Sequence, residues 1–301
     1  MSNRNLPKCL DSDGILLCLV ATEFKKKKKK NYLIITVYSL SHTSRFSGGN
    51  ILNSWAEVTV LKETPFKMPS SLLVRDDSTR VLLGEDKDYI NASYVKIVNA
   101  GEEYYYIATQ GPLPGTTDDF WQMVVENNSN VIAMITREVE DGVIKCHRYW
   151  PITMKKSLDL KSCHVFLESY QILQSFVVRI FQVVRKSTGT SHFVKHLQFT
   201  SWPDHGIPAS AEGFIKYVRY VRKSHLTGPV LVHCSAGVGR TGVFLCMDVV
   251  FHAIERNFPF NIMNIVGQMR EQRCGMIQTK EQYIFCYKIV HEVLHKLLTL
   301  K

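Results

Sequence analysis

At 301 residues and 45% hydrophobic, with a mean hydropathy of −0.07, the chain can bury a full core in one large domain or two small ones, which excludes a disulfide-held miniprotein and a wholly disordered polymer. The formal net charge is +10, but Lys25 to Lys30 supply six of those charges and leave a body of about +4, too mild to separate acidic phosphorylated partners from nucleic acid or a membrane surface. Eight cysteines show no CxxC pair and no companion histidines at zinc spacing, so a reduced, cytoplasmic protein that needs neither metal nor disulfide is expected.

The first 75 residues hold the lysine tract, the run Ser39-Leu40-Ser41-His42-Thr43-Ser44 and Gly48-Gly49-Asn50. No strand or helix period persists there, and residues 1–75 read as a low-complexity or disordered segment. The tract reads as a solvated tail, with nuclear import or anionic lipid as its sharper alternative. The apolar runs Ile15 to Val20 and Tyr32 to Val37 are far short of the ~20 residues that span a bilayer. From about Arg75 the pattern becomes dense. Tyr104 to Ala108, Val131 to Ile135, Phe176 to Val184 and Pro229 to Val232 read as short buried strands. Between them, Thr116-Thr117-Asp118-Asp119 starts one helix, Ser210 precedes a second over Glu212 to Lys223, Thr241 to Ile254 reads as a buried third, and Glu281 to Leu298 as a C-terminal fourth. Strands mixed with helices predict an α/β domain over 76–301: a central twisted mixed sheet flanked by helices.

One junction carries chemistry. Pro229 to Val232 is a strand and Gly242 onward a helix, joined by His233-Cys234-Ser235-Ala236-Gly237-Val238-Gly239-Arg240-Thr241. A tight loop at a helix N-terminus turns backbone N–H groups and a positive dipole end on whatever it encloses. Gly237 and Gly239 let the backbone curl into an anion nest, and Arg240 offers a planar fork to two oxygens of a phosphate-like dianion. The same field favours a thiolate at Cys234. The run from Gly237 to Gly242 also satisfies GxGxxG, but no acid stands about 20 residues beyond it to hold a ribose, and that motif leaves His233-Cys234 unexplained. A nucleotide loop of the GxxxxGK[ST] kind is absent.

VHCSAGVGRTG resembles the signature of the cysteine-based tyrosine-specific protein phosphatases. Other pieces agree in the family's order: DYINASY at Asp88 to Tyr94, ATQGP at Ala108 to Pro112, DDFWQMV at Asp118 to Val124, KCHRYWP at Lys145 to Pro151, WPDHG at Trp202 to Gly206 and QTKEQY at Gln278 to Tyr283. The resemblance runs from about Asp77 to near the C-terminus. It implies that fold, a signalling hydrolase acting on phosphotyrosine-containing proteins, and no cofactor, metal or nucleic acid. Cys234 would be the nucleophile, and Arg240 with the backbone of Ser235, Ala236, Gly237, Val238 and Gly239 would bind phosphate. Asp204 would serve as general acid and then base, on a loop hinged at Trp202 and Gly206. Alone, that stretch is only a turn signature. Gln278 and Gln282 would orient the hydrolytic water, although Thr279-x-x-Gln282 also satisfies a helix capping box. Thr241 would hydrogen-bond the Cys234 sulfur and His233 would fix the loop. Glu140 would anchor Arg240, and Lys145 would approach the acid loop. Arg270 and Gly275 match a secondary phosphate pocket of some members, or equally a helix-terminal Arg with a C-cap glycine.

The pattern breaks at the N-terminal side. Asp77-Ser78-Thr79-Arg80 is present, but counting back puts Ser70 where the family has a tyrosine that stacks on the substrate ring, and Leu72 where it has an acid. That loss leaves open a second reading, a catalytically impaired phosphotyrosine-binding module. A dual-specificity phosphatase is disfavoured by the Trp-Pro-Asp and Gln-Thr-x-x-Gln pieces, and a basic nucleic-acid binder by charge concentrated in one tail.

Overall fold

The computed structural model describes residues 16–27 and 30–40, by their backbone alone, together with residues 77–84 and 89–299. Where the N-terminal sequence shows no lasting period, strands β1 (Leu16–Lys27) and β2 (Lys30–Leu40) pair antiparallel. The run Tyr32 to Val37 lies inside β2, where its β-branched and aromatic residues suit a pleated backbone, and Leu16 to Val20 of the other run open β1. Part of the lysine tract, and the segment carrying Ser70 and Leu72, lie outside the described residues.

The remaining elements follow in chain order: β3 (Ala92–Asn99), β4 (Glu102–Thr109), α1 (Thr117–Glu126), β5 (Val131–Met134), β6 (Val139–Glu140), β7 (Val143–Ile144), β8 (Leu158–Asp159), β9 (Cys163–Ile172), β10 (Phe176–Arg185), β11 (Ser191–Phe199), α2 (Glu212–Ser224), β12 (Val230–His233), α3 (Gly239–Glu255), α4 (Ile262–Gln272) and α5 (Lys280–Thr299). Eight strands form one mixed sheet in the order β3-β4-β12-β5-β11-β10-β9-β8, with helices on its faces. Neighbours among β4, β12, β5 and β11 run parallel, and antiparallel pairs extend the sheet on both sides.

Strand alternation divides the core in two. Tyr106 and Ala108 of β4, Val131 and Ala133 of β5, and Val230 and Val232 of β12 face one cluster with α2, α3, α4 and α5. Ile107, Ile132, Met134 and Leu231 face the other, where Phe120, Trp121 and Tyr149 pack. Strands buried on both faces read as continuous apolar runs, which is why these were legible. The parallel strands all point their C-terminal ends the same way, and β12 delivers Cys234 there, where an open α/β sheet binds ligands.

The edge strand β3 is not left open. Gln268 accepts from Val98 N and donates to Val98 O, and Gln272 does the same with Lys96 N and O, at 2.7–3.0 Å. Two side-chain amides from α4 thus take the place of a neighbouring strand. Helix starts differ in detail from expectation. Ser210 Oγ accepts from Glu212 N at α2, but Thr116 makes no cap to α1; its hydroxyl instead accepts from Leu113 N at 2.9 Å, because a short 3₁₀ turn, Pro114–Thr116, precedes that helix. Among the described residues no helix is long and apolar enough to cross a membrane.

Candidate active site

Cys234 is buried at the end of β12, and its sulfur accepts a hydrogen bond from Thr241 Oγ1 at 3.3 Å. From there the chain curls into α3. Gly237 has φ +71°, and a Cβ on it would lie 2.0 Å from Thr109 O, so no other residue fits this turn against the end of β4. Gly239 has a different role from the one expected. Its φ is not positive; the space of its missing Cβ is filled by the Gln282 amide, 2.9 Å from where that Cβ would stand.

The loop's carbonyls are tied outward. Ser235 O accepts from Gly111 N at 2.9 Å, Gly237 O from Arg273 Nε at 2.9 Å, and Ala236 O from Arg273 Nη2 at 3.4 Å. The amides of Ser235 to Arg240, by contrast, find no acceptor among the described residues. Six successive donors at a helix N-terminus, left over once every neighbouring carbonyl is anchored, form an anion cradle.

Arg240 stands beside it, with its guanidinium held by four acceptors. Glu140 takes both arms, at 2.6 and 2.8 Å, and the carbonyls of Ile135 and Pro203 accept at 3.4 and 3.2 Å. Burial alone would raise the Glu140 carboxyl; the hydrogen bonds and charge of Arg240 outweigh it and hold that carboxyl below the usual range. The Arg240 guanidinium also lies over the Trp202 ring, 5.5 Å from its centroid. Trp202 is itself fixed, since its indole donates to Gly206 O at 3.1 Å and packs on Phe214 and Phe285.

Asp204 sits on this same loop but makes no contact with the cradle. Its carboxylate is ion-paired with Arg137 and accepts from Asp141 N at 3.0 Å. Hydrogen bonding to Asp141 and the Arg137 charge hold it below the usual carboxylate range. Asp141 in turn pairs with His205 at 3.0 Å. The β6–β7 hairpin and the residues just before it therefore grip Arg240 through Glu140 and the Trp202–Gly206 loop through Arg137 and Asp141. Lys145, on the same hairpin, makes no ion pair among the described residues.

The Gln278 loop reaches the cradle through backbone rather than side chain. Ile277 N donates to Val238 O at 3.1 Å, with Ile277 at φ +58°, a costly conformation for a β-branched residue. Arg270 offsets it, donating to Met276 O at 2.8 Å and Ile277 O at 2.7 Å, so its guanidinium engages backbone at the site where the sequence admitted a secondary phosphate pocket. Gln282 N donates to the Thr279 hydroxyl at 3.2 Å and Thr279 N donates back to Gln282 Oε1 at 3.4 Å, the reciprocal capping box that the sequence also allowed; the same oxygen accepts from Gln278 N at 2.9 Å. The Gln278 side chain remains exposed.

Beneath the loop, His233 bonds Cys234 O and, at 2.7 Å, the Tyr149 hydroxyl, which meets His196 at 2.8 Å. Burial pushes His233 down to about 4 and His196 well below its ordinary value, so both imidazoles are neutral near pH 7. Sequence reasoning missed Arg137, Tyr149 and Arg273. Tyr149 lay inside a quoted motif, whereas Arg137 and Arg273 had no local signal, their partners being 67 and 36 residues away.

A sequence model of the protein-tyrosine phosphatases matches residues 69–292. The chain is similar to tyrosine-protein phosphatase non-receptor type 20 of Homo sapiens, 76% identical over 74% of this chain and 53% of that protein. It is 46% identical to the human non-receptor type 13 enzyme, over 73% of this chain and 9% of that one. Receptor-type tyrosine-protein phosphatase S of Gallus gallus is 37% identical over 85% of this chain and 17% of its own length. The chain spans about half the length of the type 20 relatives it matches.

Proposed function

We propose that this chain, which belongs to the protein-tyrosine phosphatase family, hydrolyses phosphotyrosine in proteins through a cysteinyl-phosphate intermediate. The observation that carries the reading is the set of six unpaired amides around Cys234 beside a guanidinium fixed by Glu140. In the first step the Cys234 thiolate attacks phosphorus and the bond to the phenolic oxygen breaks. The amides and Arg240 hold the three equatorial oxygens, whose charge needs donors already in place. Asp204 delivers the proton that the leaving phenolate takes. In the second step a water, oriented by Gln278, attacks the phosphocysteine. Asp204, now a carboxylate, accepts its proton, and the Thr241 hydroxyl stabilises the departing thiolate. Inorganic phosphate is released.

Asp204 must leave Arg137 and Asp141 to do this, since an ion-paired carboxylate has no proton to give. Lys145 stands ready on the same hairpin as the alternative cation near the loop. The neutral His233 fixes the loop rather than acting as base. We place the protein in the cytoplasm, in keeping with the non-receptor relatives, with nuclear access through the Lys25–Lys30 tract.

Phosphate release from phosphotyrosine and phosphoserine peptides tests the reading. The wild type is expected to act on the former, Cys234→Ser to release none, and Asp204→Ala to lose about 10²–10⁴-fold in kcat. Turnover that survives Cys234→Ser would overturn the mechanism. A folded wild type that binds phosphopeptide without turnover would replace it with the binding module.

A further inference from the structure

A line of polar groups leads from the outer strands of the sheet to Cys234. Arg179 of β10 lies half-buried over the Trp150 ring, 4.8 Å from its centroid. Its Nη1 stands between two acceptors on β11, Gln198 Oε1 at 3.0 Å and His196 Nδ1 at 3.4 Å. Gln198 Nε2 donates to Thr136 O at 3.3 Å, which keeps its oxygen turned to Arg179. On the other side of the imidazole, His196 Nε2 lies 2.8 Å from the Tyr149 hydroxyl, which lies 2.7 Å from His233 Nε2. His233 Nδ1 then stands 3.1 Å from Cys234 O. Tyr149, His196 and His233 are wholly buried, and each neutral imidazole carries one ring proton.

Only one direction of donation satisfies every contact. Cys234 O can only accept, so the His233 proton is on Nδ1 and the bare Nε2 accepts from the Tyr149 hydroxyl. That hydroxyl has a single proton, so it accepts in turn from His196 Nε2. His196 Nδ1 is then bare, as a guanidinium, which only donates, requires. With the direction reversed, His196 Nδ1–H would face the Arg179 N–H, and a bare His233 Nδ1 would face the Cys234 carbonyl. Two repulsions would replace two bonds.

We propose that Arg179 is a positioning residue: acting through His196 and Tyr149, it fixes the tautomer of His233 and so aims the Cys234–Ser235 peptide at the phosphate. The effect on catalysis rests on the phosphatase reading. Cys234 C=O and Ser235 N–H belong to one planar unit and point opposite ways, so a carbonyl held by His233 turns the first cradle amide inward. Without Arg179, Gln198 Oε1 and His196 Nδ1 would be two buried acceptors with no donor between them. A proton on His196 Nδ1 relieves both, and the Tyr149 hydroxyl then turns to the bared Nε2. His233 Nε2 now faces an oxygen that no longer donates, and it is satisfied by the ring proton that Nδ1 gives up. Cys234 O thereby loses its donor. His196, Tyr149 and His233 keep one proton each throughout, and only the positions change.

The test uses the whole chain labelled with 15N-histidine, in which long-range ring correlations show which nitrogen of each imidazole bears hydrogen. The wild type is expected to show His196 as Nε2–H and His233 as Nδ1–H, the two sets being assigned by their loss in His196→Asn and His233→Asn. In Arg179→Met the His196 proton should move to Nδ1, and affinity for orthovanadate by calorimetry and kcat/KM for phosphotyrosine peptides should each fall about tenfold or more. Circular dichroism checks the fold, and Arg179→Leu serves in its place if the Met variant fails to fold. The opposite tautomer at either ring of the wild type, a His196 proton that stays on Nε2 in the variant, or a vanadate affinity changed less than about threefold would each overturn the proposal. Tautomers and vanadate binding need no turnover, so they are read apart from any failure of the phosphatase assay.

Discussion

Glu140 shows how much one side chain carries. It is almost wholly buried, and both of its oxygens are spent on Arg240 while Thr136 Oγ1 and Arg137 N donate to it as well. Removing the charge takes away the counter-ion of a mostly buried guanidinium and one of its two carboxylate acceptors, and breaking a buried pair costs about 3–5 kcal/mol. Glu140→Gln is therefore expected to lower kcat/KM for phosphotyrosine peptides by about 10²-fold or more, as phosphate loses its fixed cation. Steady-state kinetics check this, and a change under threefold would mean that Ile135 O and Pro203 O suffice. Residue identity also limits what Asp204 can do at rest. Hydrogen bonding to Asp141 and the Arg137 charge hold it ionised, so Arg137→Met should raise its carboxyl toward the ordinary range and, because the general acid must be protonated, shift the alkaline limb of the kcat/KM profile to higher pH.

At the scale of elements, the site is a meeting of backbones at a few glycines. A Cβ on Gly242 would lie 2.5 Å from Ile277 N, so the first turn of α3 and the Gln278 loop touch main chain to main chain. Gly242→Ala is expected to push that loop away and to slow hydrolysis of the phosphocysteine more than its formation. A larger burst of phenol relative to steady turnover would report this. Gly237→Ala is harsher, combining φ +71° with a 2.0 Å clash against Thr109 O, and should abolish turnover and lower the urea midpoint. At the sheet edge, Gln268 and Gln272 occupy the ladder positions of β3. Replacing both with Ala would expose an unpaired strand, and light scattering should show concentration-dependent association.

For the whole molecule, the buried imidazoles set an acid limit on stability. His233 titrates near 4 in the fold against an ordinary 6.5, so the unfolded chain takes up the proton first. Its contribution is full above about pH 6.5 and is lost as pH falls toward 4, by roughly 3 kcal/mol from this group alone. His196, depressed in the same direction, adds to that slope. Urea midpoints measured between pH 4 and 7 should fall steeply, and His233→Asn should flatten the fall. A wild-type midpoint constant over that window would contradict a neutral His233.

The sequence by itself marked out the strand–loop–helix junction around Cys234. His233 to Gly242 is contiguous, and its strand, loop and helix are local in chain distance, so short-range pattern was enough to read both the junction and the anion cradle. The strands buried on both faces were equally legible as continuous apolar runs. Strands β3, β9 and β11 and helix α4 were not, because their apolar residues are interrupted by Lys, His, Glu and Gln, exposed at Lys96 and Glu168 but buried at His196 and Gln198, that become intelligible only beside their neighbours. Tertiary structure alone decided where Asp204 rests, that Arg273 ties down the loop's carbonyls, that Gly239 makes room for Gln282, and that Arg270 steadies Ile277. Each of these is a contact between segments, and a linear pattern carries no record of which distant carbonyl or carboxylate the fold will bring within 3 Å.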